Sequence, residues 1–243
     1  MNDNIKSTLK YLGIYKPLKY FHTRHIKSRG LSKWKPLIPE KKFAAAVKSS
    51  IEKLLEEEST ESFGDYLEFG VSRGTSLATV FHLLDKMGLG KTKLIGFDSF
   101  EGLPLESAKE GWTPGAFHST LKATHRYLNK RNIDWGRVTL IKGWFADTLN
   151  NKTKEDVNLE KASLIMIDCD IYSASKEALQ FSMPLVKDRA VLIFDDWGSE
   201  DGKRIGQKEA FEEIMEEQPY FNVAPMLSYI DESRIFYLTR KNP

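Results

Sequence analysis

The sequence contains a single cysteine, Cys169, in 243 residues. One cysteine cannot form an internal disulfide or a cysteine-rich zinc site, so any metal ion must be held by oxygen or nitrogen. Long apolar runs are also missing: the longest, such as 190–194, fall far short of the roughly 20 residues that a membrane-spanning helix needs. The first 20 residues hold four lysines and no apolar stretch typical of a secretory signal. We therefore expect a cytoplasmic protein without a transmembrane segment.

What is present is the composition of an ordinary soluble globular protein. Hydrophobic residues make up 41% of the chain and charged residues 29%, which excludes collagen-like, disordered and coiled-coil classes. The length is enough for a full hydrophobic core in one large domain or at most two small ones.

The charge is distributed unevenly along the chain. Residues 1–42 carry 11 basic and two acidic side chains, whereas the remaining residues carry 25 basic and 32 acidic ones. We therefore divide the chain into a basic N-terminal arm or lid (1–42) and a main domain (43–243). Such an arm packs against its own acidic domain or a second subunit, or it binds an anionic partner or membrane surface. Of these, packing within the protein or in a homodimer is favoured, and no nucleic-acid partner is expected.

Short apolar runs alternate with helical patterns in the main domain. An amphipathic helix is predicted from Pro39 to about Leu55, and apolar runs at 66–69, 94–97, 138–141, 164–167 and 191–194 predict strands. Helices are expected at about 75–87, 118–132, 174–183 and 207–217. Runs that are apolar on both faces and alternate with helices are typical of a parallel sheet buried on both sides. The fold class is therefore α/β with three layers.

Two segments depart from this alternation. Strand candidates near 222–227 and 233–239 have no helix between them, which predicts a hairpin at the edge of the sheet. The segment 101–117 has no clear periodicity and follows a predicted strand. Loops of this length are usually functional or disordered, and a lid over a ligand site is the favoured interpretation.

The turn after the first strand has features of a ligand-binding loop. Gly70 and Gly74 allow a tight turn and a close approach of the backbone to a ligand, and Thr75 can begin the next helix. The pattern is neither a dinucleotide fingerprint nor a phosphate-binding loop, so triphosphate hydrolysis is disfavoured. Glu68 at the end of the strand would repel phosphate, so a cationic ligand fits better.

Asp98 ends the second predicted strand, 28 residues after Gly70. An acidic residue at this place can accept hydrogen bonds from the hydroxyls of a ribose, so the two strand ends together indicate a nucleoside. Asp98 could instead serve as a turn or cap residue. Trp144 and Phe145 follow the third strand and place aromatic surface where an adenine would lie, although core packing accounts for them almost as well.

Acidic residues follow the next two strands. Asp168 and Asp170 come after the fourth strand, and Asp195 and Asp196 come after the fifth. Neighbouring parallel strands would bring these carboxylates together, where they repel one another unless a cation lies among them. Mg²⁺ or another hard divalent cation is the simplest occupant. The alternative is that some of these residues cap the following helices, as Asp170 could.

At this point the motifs resemble the macrocin O-methyltransferase (TylF-like) family of class I S-adenosylmethionine-dependent methyltransferases. The matching segments are 68–71 (EFGV), 98–104 (DSFEGLP), 143–149 (GWFADTL), 168–172 (DCDIY) and 195–197 (DDW). The family usually has glycine where this sequence has Cys169 and tyrosine where it has Trp197. These departures remove no candidate metal ligand, but they leave the nature of the acceptor pocket undetermined.

The resemblance implies a Rossmann-like fold, with a mostly parallel seven-stranded sheet and an antiparallel edge strand. It also implies S-adenosyl-L-methionine as methyl donor, a divalent metal on Asp168, Asp195 and Asp196, and Asp170 as general base. The candidate cofactor-binding residues are Glu68, Gly70, Gly74, Thr75, Asp98, Ser99, Phe145 and Asp168. The expected acceptor is a hydroxylated, possibly glycosidic, small molecule.

Two other functions stay open at the level of sequence. Asp168-Cys169-Asp170 superficially fits the Asp-x-Asp triplet of metal-dependent glycosyltransferases, although Glu68 beside a glycine turn weighs against that class. A non-catalytic protein that binds an adenosine ligand is the third possibility.

Overall fold

The strands and helices follow the predicted alternation closely. In the computed structural model, residues 38–198 and 206–241 are described. The strands are β1 (Asp65–Phe69), β2 (Leu94–Asp98), β3 (Val138–Lys142), β4 (Ala162–Ile167), β5 (Arg189–Phe194), β6 (Phe221–Met226) and β7 (Arg234–Arg240). The α-helices are α1 (Glu40–Leu55), α2 (Thr75–Lys86), α3 (Leu121–Lys130), α4 (Phe145–Thr148), α5 (Asn151–Asp156), α6 (Tyr172–Ser182) and α7 (Gln207–Glu217). Two 3₁₀ helices span Leu105–Glu110 and Met183–Leu185.

Within the described ranges the seven strands form one sheet in the order β3-β2-β1-β4-β5-β7-β6. The first five strands pair in parallel, whereas β7 runs antiparallel to both of its neighbours. The hairpin predicted at the edge of the sheet is therefore confirmed, with β6 outermost and β7 between β6 and β5. The α/β class with a mostly parallel seven-stranded sheet is confirmed as well.

The centre of the sheet is buried on both faces, and its strands consist mostly of apolar residues. All six residues of β4 are buried. Alternate side chains of β1 join different apolar clusters: Tyr66 packs on the face covered by α1 and α2, and Leu67 packs on the face covered by α6 and α7. Helix α1 packs against the sheet with the periodic residues that predicted it, Phe43, Val47, Ile51 and Leu54.

Parallel pairing brings the carboxyl ends of the strands to one edge of the sheet, where backbone hydrogen bonds join each strand end to its neighbour. Gly70 N donates to Phe97 O at 2.9 Å, and Asp168 N donates to Phe69 O at 2.8 Å. Asp195 N donates to Ile167 O at 3.2 Å. The residues that follow β1, β4 and β5 are thereby held side by side, as the sequence predicted for the chemistry-bearing motifs.

Several local features differ from the expectations. The 101–117 segment contains a 3₁₀ helix where no periodicity was visible, and the short helices α4 and α5 were not predicted. Helix α3 begins later than position 118 because Thr120 caps it, its side chain accepting a hydrogen bond from Ala123 N. Most of the basic arm, residues 1–37, lies outside the described residues, so its role stays a prediction. Among the described helices none combines the length and apolarity needed to span a bilayer.

Candidate active site

A cavity of about 890 Å³ opens at the carboxyl edge of the sheet. Its walls come from the ends of β1, β2, β4 and β5, from the 101–117 segment and from the first turns of α4 and α6. Among the described residues nine acidic side chains and two basic ones, Arg73 and Lys109, line it. This excess of carboxylates favours a ligand that carries positive charge.

Gly70 allows two strand ends to meet at the wall of this cavity. Its φ is +96°, and a Cβ atom there would lie 1.7 Å from the carbonyl oxygen of Asp168. Gly74 also has positive φ, but it does not line the cavity; a Cβ there would press on Leu128 at 3.0 Å. Thr75, the first residue of α2, does line it. Gly70 and Thr75 therefore border the cavity, whereas Gly74 shapes the packing of the turn, and the predicted cofactor contacts of all three stay predictions.

Glu68 lies behind the cavity wall and is fully buried. Its Oε2 accepts a hydrogen bond from the Tyr66 hydroxyl at 2.6 Å, and its Oε1 accepts one from Ser76 Oγ at 2.7 Å. Burial raises the pKa of Glu68 to about 7, against these hydrogen bonds, which lower it. The structure thus gives Glu68 two protein partners and no place in the cavity lining, and its predicted cofactor contact stays a prediction.

Asp98 and Ser99 line the cavity at the end of β2. Asp98 Oδ2 accepts a hydrogen bond from Ser72 N at 2.7 Å, and its Oδ1 accepts one from Phe100 N at 2.5 Å. Burial raises the pKa of Asp98, while these backbone donors lower it. The backbone amides of Ser72 and Phe100 therefore fix the Asp98 carboxylate beside the turn that follows β1. Its oxygens retain lone pairs for further donors such as ribose hydroxyls.

Trp144 and Phe145 combine the two roles that the sequence left open. Both line the cavity. Phe145 also packs edge-on against Phe69 at 5.8 Å, so it is partly a core residue, whereas the Trp144 side chain is 39% exposed. Aromatic surface therefore borders part of the cavity.

The carboxylates of Asp168, Asp195 and Asp196 lie together on the cavity wall. One oxygen of each lies within 4.8 Å of the others. Burial and the neighbouring carboxylates raise the pKa of Asp168 well above its usual range, and the same causes raise the pKa of Asp195 to about 6. An all-oxygen set of mutually repelling carboxylates is the donor chemistry that suits a hard divalent cation, so these residues fit one.

Asp170 stands beside this cluster in an unusual backbone conformation. Its φ is +65°, and Ile171 N donates to Cys169 O at 2.7 Å, so Asp170 is the central residue of a three-residue turn. A hydrogen bond joins its carboxyl group to that of Asp196, and this contact raises the pKa of Asp170 and lowers the pKa of Asp196. Burial raises the pKa of Asp170 further. Residues other than glycine that are held at positive φ are concentrated at functional sites.

Three further residues belong to this region although the sequence did not single them out. Ser72 N holds Asp98, the Tyr229 hydroxyl donates to Asp195 Oδ1, and Glu110 reaches from the 101–117 segment to the start of α6. Ser72 lies between Gly70 and Gly74, within the turn that the sequence indicated as a ligand-binding loop. Tyr229 precedes β7, and no local pattern connects it with an aspartate 34 positions earlier.

Comparisons with known proteins agree with this geometry. The family model described as macrocin-O-methyltransferase (TylF) matches residues 38–237. A curated relative from Streptomyces olivaceus, the 8-demethyl-8-(2,3-dimethoxy-alpha-L-rhamnosyl)-tetracenomycin-C 4'-O-methyltransferase, is 26% identical over 143 residues, which cover 55% of this chain and 53% of the relative. The match thus spans about half the length of that relative.

Solved structures show the same fold. The O-methyltransferase NovP superposes with a TM-score of 0.68 at 18% identity, over 90% of this chain and 88% of that chain. The calicheamicin methyltransferase CalS11 superposes with a TM-score of 0.64 at 18% identity, over 81% of this chain and 77% of that chain. At these identities the likeness is one of fold.

Proposed function

Because the chain belongs to the macrocin O-methyltransferase family, we propose that it transfers a methyl group from S-adenosyl-L-methionine to a hydroxyl of a sugar-containing or otherwise polyhydroxylated small molecule. The observation that carries this proposal is a single cavity that joins the Gly70 turn and Asp98 to a cluster of four aspartates. Methyl transfer to a hydroxyl needs a site for a cationic nucleoside donor beside a site that activates an oxygen.

The donor half of the cavity fits a sulfonium nucleoside. Gly70 lines the cavity where the ends of β1 and β4 meet, and Asp98 lines it at the end of β2. Phe145 and Trp144 offer aromatic surface for a base. S-adenosyl-L-methionine supplies an electrophilic methyl group, and the excess of carboxylates in the lining favours its positive charge.

We assign Asp168, Asp195 and Asp196 to a divalent cation. Such an ion would neutralise these carboxylates and lower the pKa of an acceptor hydroxyl. Asp170 is assigned as the general base that takes the hydroxyl proton. An aspartate whose pKa is raised by burial is a stronger base in its ionised form than a solvated one, so its surroundings suit this role. Most of the remaining rate gain comes from holding the hydroxyl oxygen in line with the methyl carbon.

The acceptor is proposed to carry a sugar hydroxyl. The curated relative is named for methylation at a 4' position of a rhamnosyl compound, and a second solved structure of CalS11, with a TM-score of 0.57, is described as a TDP-rhamnose 3'-O-methyltransferase. The two descriptions name different acceptors, a rhamnosyl derivative of tetracenomycin C and the nucleotide sugar TDP-rhamnose. Acceptor screening therefore needs both kinds of compound.

The test combines donor binding, methyl transfer and a variant of the cluster. We expect S-adenosylhomocysteine to bind in calorimetry, whereas a glycosyltransferase would bind a nucleotide sugar and not S-adenosylhomocysteine. With labelled S-adenosyl-L-methionine, a panel of glycosides, nucleotide sugars and polyphenols is expected to yield a methylated sugar hydroxyl. A chain that binds S-adenosylhomocysteine but methylates no member of the panel would be a non-catalytic binding protein, and the proposal would be wrong.

The metal assignment is tested separately with Asp168→Asn. Because asparagine relieves repulsion among the carboxylates, we expect this variant to fold with an unchanged or higher melting temperature but to lose activity by at least about 100-fold. Asp156→Asn, on the surface helix α5, is the matched control. Full activity of the wild type after chelation would refute the metal assignment while leaving methyl transfer intact.

A further inference from the structure

Glu110 connects the 101–117 segment to the helix that follows Asp170. Glu110 Oε2 accepts a hydrogen bond from Tyr172 N at 2.6 Å. Its Oε1 accepts one from Ser173 Oγ at 2.9 Å and lies 3.4 Å from Ser173 N. These contacts join residues 62 and 63 positions apart in the sequence. Glu110 also lines the cavity, so the connection is made at the cavity wall.

Helix α6 lacks a cap of its own. Its N-cap residue, Ile171, has no side-chain acceptor, and its first turn contains no acidic residue. The first backbone N–H groups of a helix need acceptors from outside the helix, and a negative charge there also interacts favourably with the helix dipole. The Glu110 carboxylate supplies the acceptor oxygens for Tyr172 and Ser173 and also the negative charge. The cap of α6 therefore comes from another part of the chain.

The segment that carries Glu110 is closed on itself at its base. Gly115 N donates to Leu103 O at 2.8 Å, and Leu103 N donates to Ala116 O at 3.1 Å. Ser72 Oγ donates to Phe117 O at 3.1 Å, which attaches the end of the segment to the β1 turn. A surface loop whose ends meet in this way is compact. Glu110 is therefore presented by a compact loop rather than by an extended chain.

The position of the cap matters because of what precedes it. Asp170 has positive φ in a three-residue turn, immediately before Ile171 and the first residue of α6. On its N-terminal side the chain is held by the hydrogen bond from Asp168 N to Phe69 O. On its C-terminal side the contacts to Glu110 hold the first two amides of the helix. A strained residue keeps its conformation only when its surroundings hold it on both sides.

We propose that Glu110 is a positioning residue: by capping α6 from the 101–117 segment, it keeps Asp170 oriented toward the acceptor hydroxyl. The segment that walls the cavity and the residue assigned as base are thereby coupled through one carboxylate. This inference rests on the proposed function, in which Asp170 removes the proton. It gives the 101–117 segment a task beyond covering the ligand.

The experiment compares Glu110→Ala and Glu110→Gln with the wild type and with a matched control, Glu101→Gln. Glu101 lies in the same segment, is exposed, and has a surface ion pair with Lys142 at 3.6 Å. We expect Glu110→Ala to lower kcat on the order of tenfold, which corresponds to about 1.4 kcal/mol in activation free energy. KM for the methyl donor is expected to stay within about twofold of the wild-type value, because the residues proposed to bind S-adenosyl-L-methionine are unchanged. Glu110→Gln keeps one acceptor oxygen and is expected to recover part of the loss.

Hydrogen exchange provides a readout that does not depend on catalysis. We expect the amides of Tyr172 and Ser173 to exchange faster in Glu110→Ala than in the wild type or in Glu101→Gln, at a temperature where all variants are folded. Unchanged exchange would overturn the cap. A lower melting temperature with kcat within twofold of the control would overturn the positioning role, since the contact would then be structural only. If the wild type methylates no acceptor, the proposed function fails and this inference with it, and the exchange result still reports separately on the cap.

Discussion

Replacing Gly70 by alanine tests whether the meeting point of β1 and β4 sets the geometry of the cavity. The added Cβ would lie 1.7 Å from the carbonyl oxygen of Asp168, and the backbone has φ +96°. To reach an ordinary nonbonded distance between this Cβ and the carbonyl oxygen, the two strand ends must move apart by a further distance of roughly 1.5 Å. The left-handed backbone costs an L-residue roughly 1–2 kcal/mol, and forced overpacking adds about 1–3 kcal/mol. We therefore expect a loss of about 2–5 kcal/mol in the free energy of unfolding.

The control is Gly88→Ala, because Gly88 has a similar φ of +78° and a Cβ there meets no atom within 4 Å. This variant isolates the backbone cost, roughly 1–2 kcal/mol, or about 2–8 °C in Tm for a chain of this length. Urea unfolding gives the stability of both variants, and calorimetry with S-adenosylhomocysteine gives their donor affinity. A displacement of Asp168 by more than 1 Å is expected to lower kcat/KM on the order of 100-fold in Gly70→Ala alone. Gly70→Ala that matches Gly88→Ala in stability and the wild type in binding would refute the reasoning.

Two further substitutions test individual side chains around the site. Glu68→Gln is expected to gain stability relative to the wild type as pH rises from about 4.5 to 7. The folded-state pKa of Glu68 is raised to about 7, so its carboxyl group binds a proton more tightly in the folded than in the unfolded protein. This proton binding contributes fully to the stability of the wild type below pH 4.5, and the contribution is lost as pH rises through 7. The difference should reach about 3 kcal/mol at pH 8 in urea titrations, and a pH-independent difference would contradict it. Tyr229→Phe removes the hydroxyl that donates to Asp195 but keeps the ring that packs edge-on against Phe43, so Mn²⁺ affinity is expected to fall roughly tenfold with little change in Tm. Unchanged Mn²⁺ affinity in a calorimetric titration would show that this hydrogen bond does not support the cluster.

The features that sequence could predict are those with a local pattern. Apolar runs bounded by turn residues predicted β1 to β5, and β1, β2, β4 and β5 are largely buried, which requires mostly apolar side chains. The same reasoning placed Asp168 and Asp195 at one edge, because parallel strands end together. The hairpin of β6 and β7 followed from the absence of a helix between two strand candidates.

The features that sequence could not predict depend on contacts between distant parts of the chain. The 3₁₀ helix at Leu105–Glu110 is too short to show a period, and only Pro104 and Gly111 mark its ends. Tyr229 reaches Asp195 only because of how β7 is inserted in the sheet. The sequence placed Glu68 at a strand end, but only the fold shows that Tyr66 and Ser76 occupy its two oxygens.

The reversed direction of β7 has a consequence for how the site is assembled during synthesis. Because β7 is antiparallel to β5, the turn that precedes it, with Tyr229, lies at the same edge as the ends of the parallel strands. Trp197 N also donates to Glu232 O in that turn at 2.7 Å. A ribosome-bound chain that has emerged only as far as α7 holds every aspartate of the cluster but lacks both of these attachments. We therefore expect the acidic cluster to be completed only when the final hairpin docks, so that stalled or truncated chains ending before β6 contain its four aspartates in an unfinished arrangement.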